Sequence, residues 1–307
     1  TSIGASAFMY CYSLTAVTLS ENLAAIENYT FYGCENLAAI NVPNSVQSIG
    51  EEAFAYCYHL ASMTIGSGVT SIADGAFRSC QNLTSLTIPS SVTYIASYAF
   101  WATRALTSIV VESGNTVYDS RNNCNAIIET SSNTLIRGCE NTIIPNDIIK
   151  LAPYSLSGII RESLTIPKNV NNIGGQALLR TNIGKIFLNS YTPIPLGYSM
   201  EVFPFTCHIP CGTKAAYEAS AWASQVSEFV EECEEYTITY TSTDANIVTP
   251  NKADAFGANI VSNTYENGVG TITFDGPITT IGQDAFYNRK NLTSVTIPKS
   301  VETIGQD

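Results

Sequence analysis

The 307-residue sequence predicts a leucine-rich repeat solenoid that is β-rich, with short helical or 3₁₀ turns and 23-residue repeats. Three columns of apolar residues carry this prediction, because each column keeps one phase over five successive repeats. The columns are phenylalanine (Phe8, Phe31, Phe54, Phe77, Phe100), isoleucine (Ile3, Ile26, Ile49, Ile72, Ile95) and leucine (Leu14, Leu37, Leu60, Leu83, Leu106). A fixed period of about 20 to 29 residues is typical of leucine-rich repeats, whose coils fold against their neighbours.

Each repeat can be divided into a strand, a corner and a turn. Apolar residues alternate in the segment Leu83-Thr-Ser-Leu-Thr-Ile88, which predicts a short strand with one buried face. Pro89 follows and ends the strand, because proline has no amide hydrogen to donate. Val92 and Ile95 then point inward again, and Phe100 ends a tight helical or 3₁₀ turn with its ring in the interior.

Four cysteines occupy a further column, three residues after the phenylalanine, and Thr103 takes that place in the fifth repeat. One cysteine per repeat lacks the paired C-x-x-C spacing of metal sites. We therefore expect small, buried thiols in the interior rather than a metal or redox centre. The four cysteines are Cys11, Cys34, Cys57 and Cys80.

The repeat register changes beyond residue 111, and this change defines the expected organisation of the chain. A first domain, residues 1–235, contains regular coils (1–111), a β-hairpin insert (112–140), degenerate coils (141–210) and one amphipathic capping helix (213–232). The helix is predicted from the spacing of five apolar residues, Tyr217, Ala221, Trp222, Val226 and Phe229. A second domain, residues 236–307, is expected to form a β-rich cap and the start of a second repeat array.

Three features of these later segments can be tested directly. Cys124 and Cys139 flank the predicted hairpin, so their sulfurs are expected roughly opposite each other, either as free thiols or as a disulfide. In the second domain, Asn267-Gly268 is a turn signal between two predicted strands. Ile281 and Ile304 restore the spacing of 23 residues.

The segments Leu83-Thr-Ser-Leu-Thr-Ile-Pro-Ser-Ser-Val92 and Leu292-Thr-Ser-Val-Thr-Ile-Pro-Lys-Ser-Val301 resemble the BspA-like leucine-rich repeat family of surface proteins from gut Bacteroidetes. The hairpin segment from Tyr118 to Cys139 and the segment from His208 to Trp222 are also similar to parts of such proteins. This resemblance implies a cell-surface or secreted protein that adheres to host or matrix proteins. The chain departs from the pattern at Thr103, which replaces cysteine, and at Leu178, which replaces phenylalanine.

The composition excludes several classes of function. The net charge is −12 and the sequence pI is about 4.6, so a basic surface for nucleic acid or anionic lipid is not expected. No apolar run approaches the roughly 18 residues of a membrane-spanning helix, and no apolar leader opens the chain. We expect a soluble chain that begins and ends in mid-repeat, with any secretion signal or anchor lying outside it.

Few residues suggest catalysis. His59 lies inside a repeat, and no nucleophile elbow or phosphate-binding loop occurs in the sequence. Cys207, His208 and Cys211 form the one cluster with metal-ligand character, but Cys207 and His208 are neighbours in a predicted strand and would face opposite ways. We therefore expect no enzyme activity, no cofactor and no bound metal.

Two classes of function are left. The first is a binding or adhesion protein that presents its outward strand positions to a protein or glycan partner, with the host matrix as one source of that partner. The expected partner-binding residues are Asn41, Ser62, Thr64, Ser85 and Thr87. The alternative is a carbohydrate-processing or other hydrolytic accessory enzyme with its site in the irregular region 112–210. Aromatic residues there are candidates to line a pocket: Tyr154, Tyr191, Tyr198, Phe203 and Phe205.

Overall fold

The computed structural model describes residues 2–197, 205–232 and 236–305, and the chain forms two compact units. The first unit comprises Thr1–Cys207 and Tyr217–Glu228, and the second comprises His208–Ala216 and Phe229–Asp307. The first unit contains the regular coils, the hairpin insert and the degenerate coils. The second unit contains most of the β-rich C-terminal part of the chain.

The regular coils contain eight short strands: β1 (Ala25–Ile26), β2 (Ala39–Asn41), β3 (Ser48–Ile49), β4 (Ser62–Thr64), β5 (Ser71–Ile72), β6 (Ser85–Ile88), β7 (Tyr94–Ile95) and β8 (Ser108–Val111). Strands β1, β3, β5 and β7 form one four-stranded parallel sheet, in which Ile26 pairs with Ile49 and Ile49 with Ile72. Strand β2 pairs with β4, and β6 pairs with β8, also in parallel. Every pairing joins residues 23 apart, so the predicted solenoid is confirmed.

The phenylalanine column forms a continuous internal row. Successive ring centroids lie 5.3 to 5.5 Å apart, and the ring planes are tilted by no more than 8°. Phe31, Phe54 and Phe77 are fully buried, whereas Phe8 in the first coil is 37% exposed. The stacked rings place a large apolar side chain from each regular coil directly against the same side chain of the next coil.

The cysteine column is buried as expected in three of its four members. The thiol of Cys57 donates to the carbonyl oxygen of Phe31 at 3.3 Å, and that of Cys80 donates to Phe54 at 3.2 Å. Cys34 makes the same contact with Phe8. Cys11 does not fit the expectation, because its thiol is exposed. It lies in the first coil, where neighbouring coils do not cover the thiol as they do in the later coils.

The predicted hairpin insert is confirmed. It consists of β9 (Tyr118–Asp119), β10 (Ala126–Glu129) and β11 (Thr134–Gly138), with β10 antiparallel to both neighbours. Cys124 and Cys139 are free thiols, which decides against the disulfide. Each thiol instead points to a backbone carbonyl: Cys139 donates to Asn125 at 3.4 Å, and Cys124 makes a longer contact of 3.9 Å with Ala126.

The degenerate coils continue the solenoid after the insert. They contain β12 (Lys150–Leu151), β13 (Ile160–Ile166), β14 (Asn172–Ile173) and β15 (Asn182–Leu188). Strand β11 pairs in parallel with β12, and β12 pairs with β14, so the insert is attached to the degenerate coils through β11. Leu156 and Leu178 are fully buried. Leucine thus occupies the interior turn position of these coils in place of the phenylalanine ring.

The single amphipathic helix predicted over residues 213–232 is corrected by the structure. This region contains α1 (Lys214–Glu218) and a 3₁₀ turn (Ala221–Ser224), flanked by β16 (Thr206–Pro210) and β17 (Glu228–Glu232). Ser220 separates the helical pieces, because its backbone is extended and its hydroxyl accepts a hydrogen bond from the amide of Trp222. The apolar spacing nevertheless marked the buried side chains, since Tyr217 and Trp222 are fully buried.

The second unit contains β18 (Thr237–Ser242), β19 (Ile260–Glu266), β20 (Val269–Phe274), β21 (Thr280–Ile281), β22 (Leu292–Thr296) and β23 (Thr303–Ile304). Strands β19 and β20 form the predicted hairpin, and Asn267 and Gly268 at its turn have φ values of 50° and 85°. The sheet order is β19-β20-β18-β22. Strand β21 pairs in parallel with β23, and Ile281 lies opposite Ile304, as the returning period predicts.

Candidate functional site

The outward side chains of β2, β4, β6 and β8 form a surface that we call the strand face. The alternate residues Ile40 and Leu86 are buried, because successive side chains of a strand point to opposite sides. The five residues predicted to bind a partner all lie on this face and are exposed: Asn41, Ser62, Thr64, Ser85 and Thr87. Their solvent exposure agrees with the sequence analysis, but their role in binding is still a prediction.

The strand face carries no charged side chain and is mostly polar. Its positions are Ala39, Asn41, Ser62, Thr64, Ser85, Thr87, Ser108 and Val110. Asn41 and Thr64 lie opposite each other in the parallel register, and the Thr64 hydroxyl donates to Asn41 Oδ1 at 3.0 Å. The face therefore offers hydroxyl and amide groups on a rigid backbone.

The sequence also contains a cluster of residue types that can bind a metal, Cys207, His208 and Cys211. Cys207 is buried as a free thiol, whereas His208 is half-buried and its Nδ1 lies 2.5 Å from Glu232 Oε1. Cys211 is disulfide-bonded, which removes its sulfur as a metal ligand. Within residues 2–197, 205–232 and 236–305 no group of three His, Cys, Asp or Glu side chains could hold a metal ion.

A concave site does occur in the first unit. We call it the arginine–aromatic cleft; its volume is about 340 Å³, and it is lined by Arg78, Tyr98, Trp101, Tyr154, Gln176, Leu179 and Arg180. Of the aromatic residues predicted to line a pocket, Tyr154 does so, whereas Phe205 is buried in the core and Tyr191 does not line the cleft. Tyr198 and Phe203 lie outside the described residues.

The aromatic rings of the cleft meet at oblique angles. The centroids of Tyr98 and Tyr154 are 4.5 Å apart with an interplanar angle of 40°, and those of Trp101 and Tyr154 are 5.9 Å apart at 71°. The guanidinium carbon of Arg78 lies 4.6 Å from the centroid of Trp101 and 5.0 Å from that of Tyr56. Arg78 also pairs with Glu52 at 3.1 Å, so the Trp101 ring packs against a fixed cation.

A chain of hydrogen bonds joins the polar ends of these rings. The Tyr98 hydroxyl donates to the Tyr154 hydroxyl at 3.2 Å, and the Tyr154 hydroxyl donates to Gln176 Oε1. Burial, together with the hydrogen bond and charge of Tyr98, raises the pKa of Tyr154 to about 12. Tyr154 is therefore a neutral donor at physiological pH.

The hairpin insert explains why the sequence analysis missed most of the cleft. Tyr98 and Tyr154 are 56 residues apart, yet each stands two residues before the inward side chain of its turn, Phe100 or Leu156. That shared position was the available signal. It could be recognised only by aligning the fifth coil with the first coil after the insert.

Arg137 of the insert is buried behind Tyr154 and is only 3% exposed. Its Nη1 donates to the carbonyl oxygens of Tyr154 and Ser157 at 3.1 and 3.2 Å, and its Nη2 donates to Thr103. Burial lowers the pKa of Arg137 to about 10, so the group stays charged at neutral pH. No carboxylate of the described residues lies within ion-pair distance of it, and its charge is met by backbone and hydroxyl oxygens.

The described lining of the cleft consists of aromatic rings, guanidinium groups, an amide and an aliphatic side chain. Glycosidases use two carboxyl groups placed on either side of the scissile bond. Among the residues that the structure describes, those that line the cleft include no Asp, Glu, His or Cys.

Comparison with known proteins identifies the repeat. A family model described as BspA type leucine rich repeat region matches six copies, over residues 1–129, 127–197 and 215–307. No curated protein matches the chain.

Similar folds occur among solved bacterial structures. A leucine rich cell surface protein from Faecalibacterium prausnitzii is 23% identical, with a TM-score of 0.52 over 75% of this chain and 69% of its own. A leucine-rich repeat protein from Bacteroides ovatus is 20% identical, with a TM-score of 0.49 over 99% and 78% of the two chains. One from Eubacterium ventriosum is 16% identical, with a TM-score of 0.44 over 95% and 81%. In the part of this chain that is described, no helix has the length and apolar character needed to cross a membrane.

Proposed function

This chain belongs to the BspA-type leucine-rich repeat family, and from that premise we propose that it is a non-catalytic binding or adhesion protein of the cell surface or the secreted fraction. It presents the strand face to a protein or glycan partner over several coils. Asn41, Ser62, Thr64, Ser85 and Thr87 make the contacts. Membership of the family supports the surface or secreted location.

The observation that carries this proposal is the regular, exposed and uncharged strand face. Parallel pairing holds Asn41 opposite Thr64, and Ser85 opposite Ser108, at equivalent places in successive coils. These pairings fix the backbone that carries the side chains. A partner can therefore form hydrogen bonds with the strand face while this chain loses little conformational entropy. Small uncharged side chains also avoid the desolvation penalty of buried ions. The face therefore favours an extended partner that contacts several coils at once.

The alternative function, a carbohydrate-processing enzyme with its site in residues 112–210, gains no support from the cleft. Tyr154, Gln176 and Arg180 come from that region, but the lining residues that the structure describes include no carboxylate. Binding of a sugar needs no such carboxylate, whereas its hydrolysis does.

The test is a surface plasmon resonance screen of the purified chain against immobilised fibronectin, fibrinogen, collagen and a set of glycans. We expect a positive partner to lose at least tenfold in affinity when Asn41→Ala, Thr64→Ala and Thr87→Ala are combined, because three hydrogen bonds are removed. The matched control combines Ser67→Ala, Ser90→Ala and Ser97→Ala, which changes three exposed serines of the same coils outside the strand face. Equal affinity of the two triple variants would place the partner elsewhere.

A further inference from the structure

We propose that Tyr12, Glu35 and Tyr58 form a site, called here the Glu35 site, for an arginine side chain of a partner protein. The three residues occupy one column of the regular coils, four residues after the phenylalanine of each turn. They lie outside strands β2 and β4. The Glu35 site is therefore distinct from the strand face, and it adds a second interaction surface to the binding function proposed above.

Hydrogen bonds between successive coils align the three residues of the site. The side-chain amide of Asn36 donates to the carbonyl oxygen of Tyr12 at 2.7 Å. One coil further on, the backbone amide of His59 donates to the carbonyl oxygen of Glu35 at 3.0 Å. Since neighbouring strands lie about 4.8 Å apart, positions two coils apart are separated by roughly 10 Å. Tyr12 and Tyr58 are two coils apart, and Glu35 belongs to the coil between them.

Neighbouring rings hold the two outer tyrosines in place. The Tyr12 ring packs against Tyr10 with a centroid distance of 5.7 Å. The Tyr58 ring packs against Tyr56 with a centroid distance of 6.0 Å. Tyr10 and Tyr56 both pack against Tyr32, at 5.3 and 5.2 Å. These contacts restrict the rings before a partner binds, and such preorganisation lowers the entropic cost of binding.

The next coils show how rings at this spacing accommodate a guanidinium group. Arg78 lies over the rings of Tyr56 and Trp101, which belong to the coils before and after its own. Its guanidinium carbon is 5.0 Å from the first centroid and 4.6 Å from the second. Its Nη1 forms an ion pair with Glu52 at 3.1 Å. One arginine side chain thus fits between rings that are two coils apart, beside a carboxylate.

The Glu35 site has the same components except for the cation. Here the middle coil supplies the carboxylate, and Tyr12 and Tyr58 of the coils before and after it supply the rings. Glu35 is half-buried, and within residues 2–197, 205–232 and 236–305 its carboxylate forms no ion pair or hydrogen bond. Burial and the charge of this carboxylate both raise the pKa of Tyr58, so the two side chains are close enough to interact.

The charge of the surrounding coils favours a basic partner. Residues 1–77 contain six acidic residues and neither lysine nor arginine, so half of the net charge of −12 lies in the first quarter of the sequence. This charge attracts basic protein segments and disfavours acidic ones. Tyr12 is 52% exposed, so its ring is accessible to a partner. Arginine suits the site better than lysine, because a planar guanidinium stacks on aromatic rings and pairs with a carboxylate through two hydrogen bonds.

The experiment titrates the ¹⁵N-labelled chain with three capped pentapeptides, which carry arginine, lysine or citrulline at the centre and glycine elsewhere. Citrulline has the shape of arginine without its charge. The reporters are the side-chain amide of Asn36 and the backbone amide of His59, which lie next to the site. The buried indole N–H of Trp222 is the internal control. We expect the arginine peptide to shift both reporters and to bind about tenfold more tightly than the citrulline peptide and about threefold more tightly than the lysine peptide.

Two variants test the carboxylate and the rings, each with a matched control. Glu35→Gln keeps the size of the side chain and should bring the affinities of the arginine and citrulline peptides to within about twofold of each other. Glu21→Gln removes an equal charge at an exposed position of the same acidic segment and should leave their difference at about tenfold. Tyr12→Ala should weaken binding of the arginine peptide by about threefold. Tyr94→Ala changes a similarly exposed tyrosine outside the column and should not.

Three results would overturn the proposal. The first is the absence of reporter shifts with the arginine peptide, or equal binding of the arginine and citrulline peptides by the native chain. The second is an equal loss of affinity in Glu21→Gln and Glu35→Gln, which would show a general attraction to the acidic segment. The third is a lysine peptide that binds as tightly as the arginine peptide. None of these variants changes the strand face, so failure here is distinguishable from failure of the partner screen.

Discussion

Arg137 Nη2 donates a hydrogen bond to Thr103 Oγ1 at 3.2 Å, across the point where the hairpin insert separates the fifth coil from the next. In the preceding coils, cysteine holds this position and its thiol bonds to a carbonyl of the neighbouring coil. Thr103 therefore departs from the cysteine column for a structural reason. Its hydroxyl oxygen accepts a hydrogen bond from the Arg137 guanidinium, and a thiol sulfur is a weaker acceptor.

Replacing Arg137 with methionine should lower the free energy of unfolding by about 2 to 6 kcal/mol, at a usual cost of about 1 to 3 kcal/mol for each buried carbonyl left without a donor. The reason is that the carbonyls of Thr103, Tyr154 and Ser157 each lose a donor. Urea unfolding followed by circular dichroism measures the change. Lys185→Met, at an exposed position of β15, is the control and should cost less than about 0.5 kcal/mol. Similar losses in the two variants would show that Arg137 does not link the coils.

Alkaline pH should destabilise the fold through the buried thiols. Burial raises the pKa of Cys34 to about 11 and raises those of Cys57 and Cys80 further, from an ordinary value near 9. Above about pH 9 the unfolded chain therefore binds fewer protons than the folded chain, and the free energy of unfolding falls as pH rises. Each fully protected thiol contributes a slope of about 1.4 kcal/mol per pH unit.

This slope can be measured by urea unfolding at several pH values between roughly 9 and 11. Cys57→Ala should make this slope shallower by about 1.4 kcal/mol per pH unit, which corresponds to one proton. The reason is that the variant lacks a thiol that ionises in the unfolded chain. Cys11→Ala removes the exposed member of the same column and serves as the control. A slope that is unchanged in Cys57→Ala would contradict the burial of that thiol.

The phenylalanine row should show graded costs. Phe54→Ala is expected to lower the free energy of unfolding by about 3 to 5 kcal/mol, because Phe54 is fully buried between two rings. Phe54→Leu should cost no more than about 1.5 kcal/mol, since leucine fills the equivalent place at Leu156 and Leu178. Phe8→Ala, at a ring that is 37% exposed, should cost less than Phe54→Ala. Guanidinium unfolding curves give these differences, and equal costs for Phe8→Ala and Phe54→Ala would contradict the internal row.

The periodic part of the molecule could be predicted because its physics is local and repeated. The phenylalanine row, the strand register and the exposure of Asn41 and Thr64 all follow from a spacing of 23 residues. The cleft could not be predicted in the same way, since Tyr98 and Tyr154 meet across an insert of irregular length. The buried position of Arg137 was missed for a related reason: its oxygen partners lie on two coils that no periodic pattern connects to it.

The prediction of one continuous helix over residues 213–232 was wrong for a different reason. The apolar spacing around Tyr217 and Trp222 correctly indicated buried side chains, but two short turns can present the same residues as one helix. Ser220 ends the first helical piece: its hydroxyl donates to the carbonyl of Tyr217 and accepts from the amide of Trp222. Serine in a helix interior competes with the backbone in this way.

Each 23-residue period forms one coil of the stack, and a coil should fold against any neighbour that keeps the same register. Deleting residues 47–69 removes one whole period and joins equivalent positions, whereas deleting residues 47–58 breaks the register. The most direct measurement is cooperative urea unfolding of the two deletion variants. A stack of equivalent coils should give a folded, cooperatively unfolding chain after the first deletion and loss of the transition after the second. The same behaviour in both variants would contradict it.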